Sequence, residues 1–157
     1  MTTRDELLAA LNPVLEFVRG VDVTRPDDAA RALSTRFPLD GDVLRALRTQ
    51  VRSGVVAGWL CDRQSGDVKF SRVAKDAGGW SIDAVHMRGA GGSHTHPNGE
   101  VDLCFAVDGA PRFDGHAPGW TGYAPCSWHV PTVDGGAMDI LYFLPGGAIR
   151  FEPKPGA

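Results

Sequence analysis

A mainly β fold, a double-sheet jelly-roll barrel with a helical N-terminal third, is what three observations on this 157-residue chain predict. Apolar residues recur at helical spacing as far as about residue 53 and then give way to short alternating runs. Thirteen of the 20 glycines and eight of the 11 prolines fall at or after residue 86, a density of tight turns that suits many short strands. A double-sheet closure with about eight strands protects its edges. The length fits one structural domain, arranged as a helical extension over residues 1–54 packed on a barrel over 55–157.

The helices are read first. Thr3 and Glu6 form a capping box, and Leu7, Leu8, Leu11, Leu15 and Val18 follow at helical spacing. Pro13 is expected to kink or split this helix. A second helix should begin after Thr24, with Pro26 in its first turn and Ala29, Ala30, Leu33 and Phe37 facing inward. A third runs from about Asp42, burying Val43, Leu44, Leu47 and Val51, and stops near Gly54.

Nine runs then read as strands: 55–61, 68–74, 80–87, 101–107, 111–114, 121–123, 127–131, 138–144 and 148–152. Gln64-Ser65-Gly66-Asp67 and Ala110-Pro111 mark hairpin-type connections. In 101–107, Val101, Leu103, Phe105 and Val107 share one face while Glu100, Asp102, Cys104 and Ala106 share the other. The second face is small and polar, as a strand lining a ligand cavity needs.

Composition removes several functions. The net charge of −3 argues against nucleic acid, whose phosphates need concentrated basic surface, and the helical stripe Arg45, Arg48, Arg52 reads as a solvated face. The start MTTRDELLAALNP carries acidic residues and no long apolar run, so neither a secretory signal nor a membrane span is expected and the address is cytoplasmic. Cys61, Cys104 and Cys126 are odd in number and lack C-x-x-C spacing, which favours reduced thiols. An edge strand and amphipathic helices leave room for a homodimer.

One segment concentrates metal-binding side chains. His94 and His96 on an extended chain point to the same side. Pro97-Asn98-Gly99 reads as a turn that brings Glu100 back beside them, and His129 would arrive from a separate strand. Three imidazoles and a carboxylate suit a divalent Fe, Mn, Ni, Co or Zn, and affinity order does not choose among them.

The His-x-His-x3-Glu arrangement, followed by Gly109 and by Gly122 to His129, resembles the two motifs of the cupin superfamily. The second motif is one residue shorter here, with Ser127 in the place of a glycine. Residues 93–151 further resemble the small bacterial 4-hydroxylaminobenzoate lyase family, through the HTHPNGE-D core, Phe113-Asp114-Gly115-His116 and Ser127-x-His129-x-Pro131-Thr132. This resemblance implies conversion of 4-hydroxylaminobenzoate to 3,4-dihydroxybenzoate with release of ammonia. Another metal-dependent cupin enzyme, such as a dioxygenase acting on a small aromatic acid, and a non-catalytic small-molecule-binding cupin are the alternatives.

For that chemistry the expected metal ligands are His94, His96, Glu100 and His129. Glu100, Asp102 and His116 are the acid–base candidates. Tyr123 and Trp128 are placed beside the small aromatic substrate, and Arg88, Arg112 or Arg150 offers a fork for its carboxylate.

Overall fold

The computed structural model describes residues 2–156. Three helices, α1 (Arg4–Val18), α2 (Pro26–Arg36) and α3 (Asp42–Ala57), precede nine strands. These are β1 (Arg63–Ser65), β2 (Val68–Ala77), β3 (Trp80–Ala90), β4 (His94–His96), β5 (Glu100–Phe113), β6 (Gly119–Tyr123), β7 (Ser127–His129), β8 (Thr132–Pro145) and β9 (Arg150–Phe151).

The capping box at Thr3 and Glu6 closes in both directions, which satisfies two backbone groups left over at the helix start. Helix α1 passes through Pro13 without splitting, and its buried Leu7, Leu11, Val14, Leu15 and Val18 hold it on the protein. Packing of that face outweighs the one hydrogen bond a proline removes. Helix α2 starts at Pro26 as its fixed φ favours.

Helix α3 corrects three readings. It continues to Ala57, so 55–61 is helix and turn rather than strand. Gly54 does not stop the helix; a Cβ there would lie 2.8 Å from the Trp59 ring, so the glycine makes room for packing. Gly58 is the terminator, left-handed at φ 84°, with its N–H bonded to the carbonyls of Gly54 and Val55. Val43 is 39% exposed rather than buried. Two arginines of the helical stripe also anchor α3 to the sheet: Arg48 donates to the Ala106 carbonyl and Arg52 pairs with buried Asp139.

The strands form a six-stranded antiparallel sheet in the order β1-β2-β3-β8-β5-β6 and a three-stranded sheet in the order β7-β4-β9. This is the expected mainly β jelly-roll architecture. The Gln64–Asp67 turn joins β1 to β2 as read, but Ala110-Pro111 is no hairpin. The runs 101–107 and 111–114 are one 14-residue strand, β5. Register shifts around Ala106/Asp108 and Gly109/Arg112 interrupt its ladder, and Pro111 falls in the second interruption, where its missing N–H is tolerated.

The large sheet has two different faces. Ile82, Ala84, Val101, Leu103, Phe105, Leu141 and Phe143 pack outward against α1, α2 and α3 in one apolar core. Each large side chain buried there contributes about 1.5–3 kcal/mol. Val85, Met87, Cys104, Phe113, Val133, Met138, Ile140 and Tyr142 turn inward and form a second cluster. Among the described residues no helix is long and apolar enough to cross a membrane.

Candidate metal centre

Strands β4 and β7 pair so that His94 lies opposite His129 and His96 opposite Ser127. Partners directly opposite share a face, so all four point into the space between the sheets. Gly99, at φ 84°, closes the turn after His96 and lets β5 begin with Glu100 on the inner side. His94, His96 and Glu100 are fully buried and His129 is partly buried. One ligand atom from each lies within 4.8 Å of the others.

The proton on each ring is fixed by its outer nitrogen. His94 Nδ1 donates to the Gly92 carbonyl at 2.9 Å, an atom that only accepts. Ser127 gives its hydroxyl proton to the Ala124 carbonyl at 2.6 Å, so its oxygen accepts from His96 Nδ1 at 3.0 Å. His129 Nδ1 donates to Asp114 Oδ2 at 2.5 Å. In the neutral form of each ring this leaves an Nε2 lone pair facing the centre.

These lone pairs face one another closely. Nε2 of His94 is 3.0 Å from Nε2 of His96 and 3.0 Å from Nε2 of His129, and His96 Nε2 is 3.0 Å from Glu100 Oε2. Both Glu100 oxygens are buried without a hydrogen-bond donor. With the rings neutral and the carboxyl ionised, four acceptors converge and repel one another unless a cation lies between. The cluster could therefore hold a metal ion.

Electrostatics favour a neutral His94 ring and one buried acid. Burial holds the His94 imidazole below its ordinary pKa. Burial, then the Glu100 charge, pushes Asp102 well above the usual carboxylate range. Both Asp102 oxygens and the Thr121 hydroxyl opposite it are also buried without partners. Burial would raise Asp114, but hydrogen bonds from His129, Tyr123 and the Thr132 N–H outweigh it and hold it below its ordinary value.

The structure brings some expected residues together and not others. His94, His96, Glu100 and His129 converge, with Asp102 one step along β5 on the same face. The Tyr123 ring lies 5.1 Å from that of His96 and 4.5 Å from that of His129, and its hydroxyl donates to Asp114 at 2.6 Å. Burial raises that phenol, which stays protonated. His116 is a correction: it is exposed on the β5–β6 turn, where its backbone bonds to Phe113.

Trp128 is a second correction. Its neighbours Ser127 and His129 face inward, so alternation turns Trp128 out, and its indole donates to the Glu152 carbonyl. The arginines are a third. Arg88 is exposed and paired with Asp108, Arg112 is exposed and donates to Gly115, and Arg150 is paired with Glu152. None of them lines the cleft of about 910 Å³ that opens from His94 between β2, β3 and β9.

Sequence reasoning missed Asp114 and Thr121 as parts of the site. Asp114 sits in a turn at φ 50°, so an Asp-Gly dipeptide that reads as turn chemistry conceals a carboxylate reaching back to His129. Thr121 had one signal, its place on a strand face with Tyr123.

The chain can now be set beside known proteins. The sequence profile of a family described as 4-hydroxylaminobenzoate lyase (PnbB) matches residues 11–151. A 4-hydroxylaminobenzoate lyase of Pseudomonas putida is 29% identical over 97% of each chain. A second, from Nocardioides sp. (strain LMS-CY), is 28% identical over 100% of this chain and 99% of its own. An uncharacterized conserved protein with a double-stranded β-helix domain from Klebsiella pneumoniae superposes with a TM-score of 0.45 at 18% identity, over 63% of this chain and 95% of that one. With a profile match spanning nearly the whole sequence, the chain belongs to the 4-hydroxylaminobenzoate lyase family.

Proposed function

We propose that this protein converts 4-hydroxylaminobenzoate to 3,4-dihydroxybenzoate with release of ammonia. The observation that carries the reading is the convergence of three imidazole Nε2 atoms and a buried carboxylate at a centre that a cleft reaches at His94, in a chain of this family.

The reaction balances without an oxidant. One substrate and one net water give one catechol and one ammonia, because the N–O bond is reduced as a ring carbon is oxidised. The hydroxyl leaves nitrogen as water, water adds at the adjacent ring carbon, and hydrolysis of the resulting imine releases ammonia. Every stage moves a proton.

His94, His96, Glu100 and His129 would hold the ion. When bound, a divalent metal supplies Lewis acidity and lowers the pKa of a coordinated water. Asp102, buried beside Glu100 on the inner face of β5 and raised in pKa by that burial, delivers and retrieves protons. Asp114 and Tyr123 hold His129 in its orientation and do not touch the substrate. The inward cluster of Met87, Ile140 and Tyr142 keeps bulk water away from the imine.

The test is an anaerobic incubation of purified metal-loaded protein with 4-hydroxylaminobenzoate. Ammonia and 3,4-dihydroxybenzoate should appear in equal amounts. Absence of product, or turnover that consumes oxygen, overturns the reading.

A further inference from the structure

We infer that Arg63 binds the carboxylate of the substrate and that Phe151 seats its ring, so that together they select para-substituted aromatic carboxylates. The inference rests on the reading of the metal centre above. It begins from the cross-strand rows of the inner face. Ser65 lies opposite Val68 and Arg63 opposite Phe70, while Val68 and Phe70 in turn lie opposite Met87 and Val85. Directly opposed residues share a face, so Arg63 extends the inward row that carries Val85 and Phe70.

The cleft lined by these residues reaches the metal centre at His94. Its floor near the centre is apolar, with Val68 and Met87 within 3.6 Å of the position a Gly91 side chain would take. On the other side Phe151 packs its ring edge-on to His94 at 5.4 Å between centroids, yet remains 69% exposed. An aromatic ring left largely in water at the mouth of a cleft presents a surface for another ring. Phe70, 36% exposed, lines the same cleft.

Two of the four cations along the cleft are occupied. Arg4 donates to the carbonyls of Arg72 and Val73, and Arg72 pairs with Asp83. Arg63 has no hydrogen bond or ion pair among the described residues, and its planar fork matches a carboxylate. Lys75 is also unpaired but lies seven residues beyond Val68 on β2, roughly 20 Å further along at the rise of a strand. His94, Phe151 and Arg63 all line this one cleft, which assigns the hydroxylamine end to the metal centre, the ring to Phe151 and the carboxylate to Arg63. Arg88 and Arg112 lie off it.

The experiment measures equilibrium binding to metal-loaded protein by calorimetry, using 4-hydroxybenzoate and its carboxylate-free counterpart phenol. Wild type should prefer 4-hydroxybenzoate. Arg63→Met should weaken 4-hydroxybenzoate by about ten- to a hundredfold and abolish the preference, with Arg63→Lys in between. Phe151→Ala should weaken both ligands alike and leave their ratio unchanged. Arg88→Met serves as the contrast and should leave the ratio at the wild-type value. Equal affinities in wild type and Arg63→Met, no preference or no binding in wild type, or loss of preference in Arg88→Met each overturn the inference. Because no turnover is needed, a protein that binds through Arg63 yet fails to release ammonia refutes the lyase reading alone. In an active enzyme, Arg63→Met should raise KM far more than it lowers kcat.

Discussion

The two faces of the six-stranded sheet are built from alternate residues of the same strands and obey opposite rules. On β5, Val101, Leu103 and Phe105 look outward into an apolar core shared with three helices. Glu100, Asp102 and Cys104 look inward, and the two carboxyls there have four oxygens without a partner. Burying such groups unsatisfied costs stability, at about 1–3 kcal/mol for a polar group and more for a charge. The outer face stabilises the fold, and the inner face spends part of that stability on reactive groups.

The sharpest way to break this contrast is to cut each face separately. Phe105→Ala should lower the unfolding free energy by about 3–5 kcal/mol in denaturant titrations while leaving the metal content of the folded chains unchanged. Glu100→Gln keeps the shape and removes the charge, so metal content by elemental analysis should fall while the metal-free protein unfolds no more easily than wild type. Unchanged metal with lost turnover would instead make Glu100 a proton carrier. If Phe105→Ala stripped the metal, the two faces would not be separable.

Asp114→Asn tests a residue that acts through His129. It should weaken metal binding about ten- to a hundredfold in chelator competition, with little change in unfolding. A loss of stability at unaltered metal affinity would move Asp114 to the structural side of the comparison.

The smallest expected effect is a thiol count that reports whether both faces are closed to water. Burial pushes the Cys61 thiol in the outer core up to about 12, and burial also pushes Cys104 on the inner face well above its ordinary value. Cys126 is exposed. Alkylation at mildly alkaline pH should label one thiol per native chain and three after unfolding. A second label in the native protein would show that one face admits solvent.

What was legible in the sequence was whatever short-range geometry sets. Three of the four converging side chains come from His94 to Glu100, where alternation and a Pro-Asn-Gly turn fix the directions. The opposed faces of β5 were legible for the same reason. Alternation also held the answer for Trp128: if His129 points in, its neighbour points out. The arginines were not legible, because exposed pairing with Asp108 or Glu152 depends on which strands lie side by side. Helix α3 was cut short because Gly54 looks like a terminator in one dimension, whereas in three it accommodates Trp59. Arg63 was invisible because β1 is three polar residues, without an apolar rhythm to mark a strand.

The three imidazoles take their outer hydrogen bonds from unrelated sources: a main-chain carbonyl at Gly92, a hydroxyl at Ser127 and a carboxylate at Asp114. A carbonyl, a hydroxyl and an anion differ in how much electron density they lend to the ring they hold. As ligands to an ion the three rings would be graded in donor strength, with His129 the richest, and each grade is set by a different residue. A substitution at Ser127 or Asp114 would then alter the basicity of one ring without disturbing the hydrogen bonds of the other two.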